Sequence, residues 1–130
     1  YILDTHYIIW SVTETEKISK KIREILENPK NEILVSPISF WEISLKYSMG
    51  KLLLGEYIPE NFPEACFKMG FESINLDANT CITYHHLLPK YHKDPFDRML
   101  IWQAIQNNFT LISNDVELRK YSSEGLKLIL

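Results

Sequence analysis

Five short apolar runs punctuate this chain: Tyr1-Ile2-Leu3, Ile33-Leu34-Val35, Ser73 to Leu76, Thr110 to Ser113 and Lys127 to Leu130. The segments between them are longer, and their apolar residues recur every three or four positions. A bounded apolar run of this length reads as a buried strand, and a period near 3.6 reads as an amphipathic helix. Strands that alternate with helices pair in parallel through helical crossovers, and a parallel sheet needs cover on both faces. The chain is therefore predicted to form an α/β sandwich around a mostly parallel sheet.

Helix signals agree with this alternation. Tyr7, Ile8, Ile9 and Trp10 supply the apolar positions of a first helix. From Ser19 to Leu26, Ile22, Ile25 and Leu26 share a face opposite Lys20, Lys21, Arg23 and Glu24, and Asn28-Pro29 closes the segment. Ser36-Pro37 opens a helix running to about Met49-Gly50. Further helices are expected over Asn61 to Met69, Ala78 to Leu87, Asp94-Pro95 to Gln106 and Asp115 to Lys120, with a polar loop at Lys90 to Lys93. With 130 residues and no repeat or linker-like stretch, a single domain over 1–130 is expected.

Composition removes several function classes. The 45% apolar and 24% charged content excludes a disordered or fibrous chain. No apolar run approaches the length of a membrane span, and no basic-then-apolar leader is visible. The missing initial Met predicts the loss or processing of a residue or two. Cys66 and Cys81 form no C-x-x-C pair, which makes a reducing cytoplasm the default compartment. A net charge of −3 argues against a generally basic nucleic-acid coat and leaves room for a local basic strip.

In open α/β sheets ligands gather beyond the carboxyl ends of the strands. Asp4 ends the first predicted strand, and Asp115 follows the Thr110–Ser113 strand. Glu42 lies inside the helix after the second strand, and Asp97 in the first turn of the Asp94 helix. Carboxylates gathered at one edge repel one another, and a hard divalent cation relieves that repulsion. Each acid also has a structural reading. Asp4 and Asp115 suit helix N-caps; Ser39-x-x-Glu42 fits a capping box; Glu42 can pair with Lys46 four residues on. In Asp94-Pro95-Phe96-Asp97, Asp94 suits an N-cap and Asp97 complements the helix dipole. Spacing alone leaves both readings open.

Four stretches carry a resemblance that bears on the choice. They are Leu3-Asp4-Thr5-His6; Ser39-Phe40-Trp41-Glu42-Ile43-Ser44-Leu45-Lys46 with Gly50-Lys51-Leu52; His92-Lys93-Asp94-Pro95-Phe96-Asp97-Arg98-Met99-Leu100-Ile101; and Leu111-Ile112-Ser113-Asn114-Asp115. In order and spacing they resemble the PIN-domain ribonucleases, and among these the VapC-type toxins of toxin–antitoxin pairs. The resemblance implies a PIN-like three-layer sandwich with about four to five strands. It implies that Asp4, Glu42, Asp97 and Asp115 form a metal-binding acidic cluster. It also implies Mg²⁺- or Mn²⁺-dependent hydrolysis of single-stranded RNA, leaving a 3′-hydroxyl and a 5′-phosphate if two metals act. Thr5, Ser113 and Asp94 would support the cluster, with Thr5 and Ser113 orienting carboxylates or waters. Many relatives carry Thr-x-Asn or Thr-x-Asp where this chain has Ser113-Asn114-Asp115. A homodimer and a cognate antitoxin that blocks the acidic site are further implications, placed on the first helix and the Ser19–Leu26 helix.

Around the cluster, Lys46, Lys51, Lys90, His92, Lys93 and Arg98 offer phosphate contacts, and Tyr47 or Tyr91 a stacking surface. Lys46, His92, Lys93 and Arg98 are the candidate RNA-binding set. Each of these lysines equally suits a solvated surface, and Arg98 a salt bridge to a neighbouring acid. His6 is expected at the site edge or packed on Trp10. Trp10, Trp41 and Trp102 are expected in core or interface. Cys81 and His85 share a helix face, but no second ligand pair stands at zinc spacing. Competing functions fare less well. A receiver-type phosphoacceptor wants adjacent acids after its first strand, and a haloacid-dehalogenase-type phosphatase wants a second Asp where His6 stands. A housekeeping PIN nuclease, or a catalytically idle RNA- or protein-binding module, stays as the alternative.

Overall fold

The computed structural model describes residues 1–88 and 91–130. Among them, five strands form one sheet in the order β3-β2-β1-β4-β5: β1 (Ile2–Leu3), β2 (Leu34–Val35), β3 (Glu72–Ser73), β4 (Thr110–Ile112) and β5 (Lys127–Ile129). Every pairing is parallel, so the sheet is more uniform than the mostly parallel one expected. Helices α1 (Thr5–Thr13), α2 (Lys20–Glu27), α3 (Pro37–Ser48), α4 (Asn61–Lys68), α5 (Ala78–Thr83) and α6 (Pro95–Asn107) form the crossovers and outer layers. No helix among the described residues is long and apolar enough to cross a membrane.

Alternation along the strands makes two cores. Leu3, Val35 and Ile112 face one side and pack with Ile8, Ile22, Phe62 and Cys66 from α1, α2 and α4. Ile2, Leu34 and Leu111 face the other and pack with Leu100, Ile101 and Trp102 of α6. Successive strand residues point to opposite faces, so these two- and three-residue strands serve both layers at once. That is why the apolar runs lack a polar alternation.

Three boundaries differ from the sequence reading. The third strand is Glu72–Ser73 rather than Ser73 to Leu76, and both of its side chains are exposed at the sheet edge. Ile74 and Leu76 pack against the second core from the segment that follows, so their apolar character marks burial and not strand pairing. The Ala78–Leu87 helix tightens into a 3₁₀ turn at Tyr84–His86, and the segment after Asp115 is a 3₁₀ stretch over Val116–Glu124.

The chain direction of the crossovers changes at β1, with β2 on one side and β4 on the other. A crevice therefore opens beyond the carboxyl ends of β1 and β4, the position where such sheets hold ligands.

Candidate active site

Asp4 leaves β1 at that crevice. Its backbone N–H donates to Ile112 O at 3.0 Å, which ties it to the end of β4. One carboxylate oxygen accepts from Tyr7 N at 3.1 Å and caps α1; the other accepts from the Ser113 hydroxyl at 2.6 Å. Asp115 is fixed in turn: its N–H donates to Ser113 Oγ at 3.1 Å, and its Oδ1 accepts from Glu117 N at 2.9 Å. The capping readings of Asp4 and Asp115 both hold, and Oδ2 of Asp115 still faces the crevice, 3.6 Å from His92 Nε2.

The start of α3 decides what Glu42 does. Ser36 is its N-cap and Pro37 its first residue, so the helix begins before Ser39 and no capping box forms. Ser36 also donates to Gln103 Oε1 at 2.5 Å, joining α3 to α6. Glu42 is thereby carried inward and is only 3% exposed. Its Oε2 takes an ion pair from Lys46, one turn along, and its Oε1 is buried with no hydrogen-bond partner. Asp94 caps α6 through Phe96 N at 2.8 Å. That sets Asp97 in the first turn, where its Oδ2 lies 2.8 Å from His92 Nε2.

Contacts through Ser113, His92 and Lys46 thus link the four acids along one edge. Burial pushes the Asp4 carboxyl above its ordinary value, against the opposing effect of the Ser113 and Tyr7 hydrogen bonds. Burial also raises Asp97, and the nearby charges of Asp94 and Glu42 add to it while His92 opposes. For Lys46 burial acts to lower the pKa, but its hydrogen bond to Glu42 and the fields of Glu42, Asp94 and Asp97 leave it raised. Lone buried carboxylates with raised pKa values bind protons more readily folded than unfolded. The metal-free protein is therefore expected to lose stability as pH rises from the ordinary carboxylate value of 3.8 through the raised native values. Thermal melts in chelator between pH 5 and 8 measure this, and the Asp4→Asn variant should flatten the slope.

Among the described residues, no three His, Cys, Asp or Glu side chains are arranged to hold a metal ion as they stand. The donors nonetheless suit a hard divalent cation. They are all-oxygen, their negative charge is costly where it sits, and Glu42 Oε1 is a buried acceptor with nothing to accept.

Other expected residues fall in different places. Ser113 orients Asp4 as expected of its hydroxyl, whereas the Thr5 hydroxyl donates to Ser39 Oγ at 3.0 Å and locks α1 to α3. Arg98 does not join the candidate RNA-binding set: it is 3% exposed, and its guanidinium donates to Tyr84 Oη, Tyr121 Oη and Leu87 O. Among the described residues it makes no salt bridge to a neighbouring acid either. Lys93 and Lys51 are exposed near the site, and Lys90 lies outside the described residues. His6 packs on Trp10, with ring centroids 5.9 Å apart. Trp102 is buried, but Trp41 is 61% exposed and meets Phe96 edge-on at 5.4 Å, so only the first belongs to the core. Cys81 and His85 are both exposed, and no metal group includes them among the described residues.

Sequence reading missed Tyr121. Its hydroxyl accepts from Arg98 and from the backbone N–H of His92, and so sets the loop that brings His92 to the acids. No local pattern marks such a residue. A cleft of about 560 Å³ is lined by Ile18, Arg23, Leu26, Ile33 and Phe71, with none of the four acids in its wall.

Comparison with known proteins follows the same outline. A sequence model of the family described as PIN domain matches residues 1–124. No curated protein matches the chain. Among solved structures, the chain is similar to the crystal structure of VapBC2 from Rickettsia felis bound to a DNA fragment from its promoter. There the TM-score is 0.69 at 21% identity, covering 99% of this chain and 96% of that one. It is also similar to DNA-bound VapBC from Salmonella typhimurium, with TM-score 0.67, 20% identity and coverage of 98% and 95%. For VapBC-1 from nontypeable Haemophilus influenzae the values are 0.68, 19%, 99% and 96%. Identities this low establish a shared fold.

Proposed function

The chain belongs to the PIN domain family, whose members are generally nucleases that depend on divalent metal, and from that premise we propose that it is a Mg²⁺- or Mn²⁺-dependent endoribonuclease. Its substrate is single-stranded RNA, and residues 1–130 act as one catalytic domain. The observation that carries this is the buried, unpartnered Oε1 of Glu42 at the edge where Asp4, Asp97 and Asp115 also end. A carboxylate is costly to bury unpaired, and a cation bound among these acids would remove that cost.

A divalent ion bound there supplies activation of a water and neutralisation of charge on the scissile phosphate. Asp4, Glu42, Asp97 and Asp115 would hold it. Ser113 keeps the Asp4 carboxylate turned to the crevice, and Asp94 fixes the helix start that presents Asp97. In this reading Lys46, Lys93 and His92 would contact backbone phosphates, and exposed Tyr91 would stack a base.

The role proposed is that of a cytoplasmic toxin held by a cognate antitoxin. The similar structures are VapBC complexes, and in this reading the cleft lined by Ile18, Leu26, Ile33 and Phe71 would offer an antitoxin segment an apolar seat. The proposed homodimer has support in a different helix from the one expected. Exposed Trp41 and Leu45 follow one another at i and i+4 on α3 and exposed Met49 is its C-cap, whereas α1 and α2 show no large exposed apolar side chain among the described residues.

The test is incubation with structured and unstructured RNAs in Mg²⁺, Mn²⁺ or chelator. Cleavage of unstructured RNA that chelator stops is the expected result. Intact RNA under all conditions would leave only a binding module.

A further inference from the structure

We propose that Lys46 is the acid site's own exchangeable counter-cation, which holds Glu42 in the metal-free protein and must give that carboxylate up when a divalent ion binds. The inference rests on the metal-nuclease reading above and concerns how that site is loaded. Glu42 is buried on a helix interior, where a bare carboxylate has no water to solvate it. Of its two oxygens one is taken by Lys46 and the other is free of any partner. Half of the carboxylate is therefore satisfied by the ammonium, and the other half is a buried acceptor available to a metal ion.

Three further features make the pairing exchangeable. Lys46 reaches Glu42 from the adjacent turn of the same helix, so moving it requires side-chain rotation alone. Its side chain is 38% exposed, so water can receive the displaced ammonium. Finally, its partners are those of the cluster. Besides Glu42, it lies in the fields of Asp94 and Asp97, while His92 contacts Asp97 and Asp115. An ammonium and a divalent ion cannot share this space without strong repulsion. The arrangement also explains how a cluster with no three-ligand group in place can become one.

The test compares wild type, Lys46→Met and Lys46→Arg by calorimetric titration of the metal-free proteins with Mn²⁺, with thermal melts alongside. Removing a unit charge beside a divalent ion should tighten Mn²⁺ binding about tenfold in Lys46→Met, and Lys46→Arg should bind like wild type. Metal-free Lys46→Met should melt below wild type because Glu42 loses its only partner, and saturating Mn²⁺ should erase that gap. If Lys46→Met folds only with Mn²⁺ present, the same dependence is read from its refolding. Unchanged or weaker Mn²⁺ binding by Lys46→Met, with wild type binding normally, overturns the counter-cation alone. Absence of Mn²⁺ binding in every variant overturns it together with the metal-nuclease reading.

Discussion

Replacing Asp97 by Asn is expected to abolish RNA cleavage and, at the same time, to raise the melting temperature of the metal-free protein. The two effects have separate origins. Asn keeps the size of the side chain and an oxygen for His92, so the first turn of α6 retains its shape. It removes a charge whose folded form is disfavoured by burial and by the proximity of Asp94 and Glu42. Neutralisation therefore relieves the folded state, and the melts should show it in chelator above the ordinary carboxylate range. Catalysis loses a ligand oxygen charge at the scissile phosphate, and a contribution of roughly 4 kcal/mol to the transition state corresponds to about a thousandfold in rate. Cleavage of an unstructured RNA with Mn²⁺ and melting of the same preparations decide it. A variant that cleaves at the wild-type rate removes Asp97 from the site. A variant that loses activity and melts lower makes Asp97 a structural carboxylate.

That opposition of activity and stability recasts the chain's net charge of −3. With four of its 17 acids assigned to one site, the remainder carries 14 basic residues against 13 acidic ones. The excess of negative charge belongs to the crevice and not to the surface at large, which leaves Lys93, Lys51 and exposed neighbours free to meet a polyanion.

What could be read in advance was whatever depends on nearest neighbours. Tyr1-Ile2-Leu3 and Thr110 to Ser113 are too short and too apolar to be surface strands, so their ends located Asp4 and the Ser113–Asp115 turn before any fold was known. Ser36-Pro37 and Asp94-Pro95 mark helix starts by local chemistry, and both caps form as written. The reading failed where long-range contact decides. β3 is an edge strand with polar residues, so its pairing to β2 leaves no apolar signature, and the neighbouring Ile74 and Leu76 mislead. Trp41, expected in core or interface, is turned to solvent by its place on α3 beside the inward-facing Glu42, which removes the core half of that reading. The sequence spacing of Glu42 and Lys46 showed that they could pair, but not that Glu42 would be buried or that Lys46 would also lie in the fields of Asp94 and Asp97. Arg98 is the clearest miss, because charge next to a motif acid suggests a phosphate contact while its true partners lie 11 to 23 residues away.

Arg98→Met is accordingly expected to unfold the protein at a much lower temperature, with its effect on RNA binding secondary to that. The guanidinium is one of few charged groups in the interior, and each of its three nitrogens donates: Nε to Tyr84 Oη at 2.9 Å, one terminal nitrogen to Tyr121 Oη at 2.9 Å and the other to Leu87 O at 2.8 Å. Removing it takes a buried donor from the Leu87 carbonyl and from Tyr121 Oη, and a part-buried one from Tyr84 Oη. Losses of this kind cost about 3–5 kcal/mol, which for a domain of this size lowers the melting temperature by roughly 10 °C or more. Lysine keeps the charge but concentrates its donors at one point, so Arg98→Lys should recover only part of the loss. The damage should also reach the site by a defined route. Tyr121 accepts from Arg98 and from His92 N together, and a Tyr121 released from the arginine no longer fixes the loop that carries His92 to Asp97 and Asp115. Mild destabilisation in Arg98→Lys should therefore come with weaker retention of His92 at the acids, visible as a change in the His92 imidazole resonances by NMR. A variant at Arg98 that melts like wild type yet binds RNA less tightly would return the arginine to the phosphate-contact role that its sequence position suggests, and would mean that its three internal acceptors find other donors.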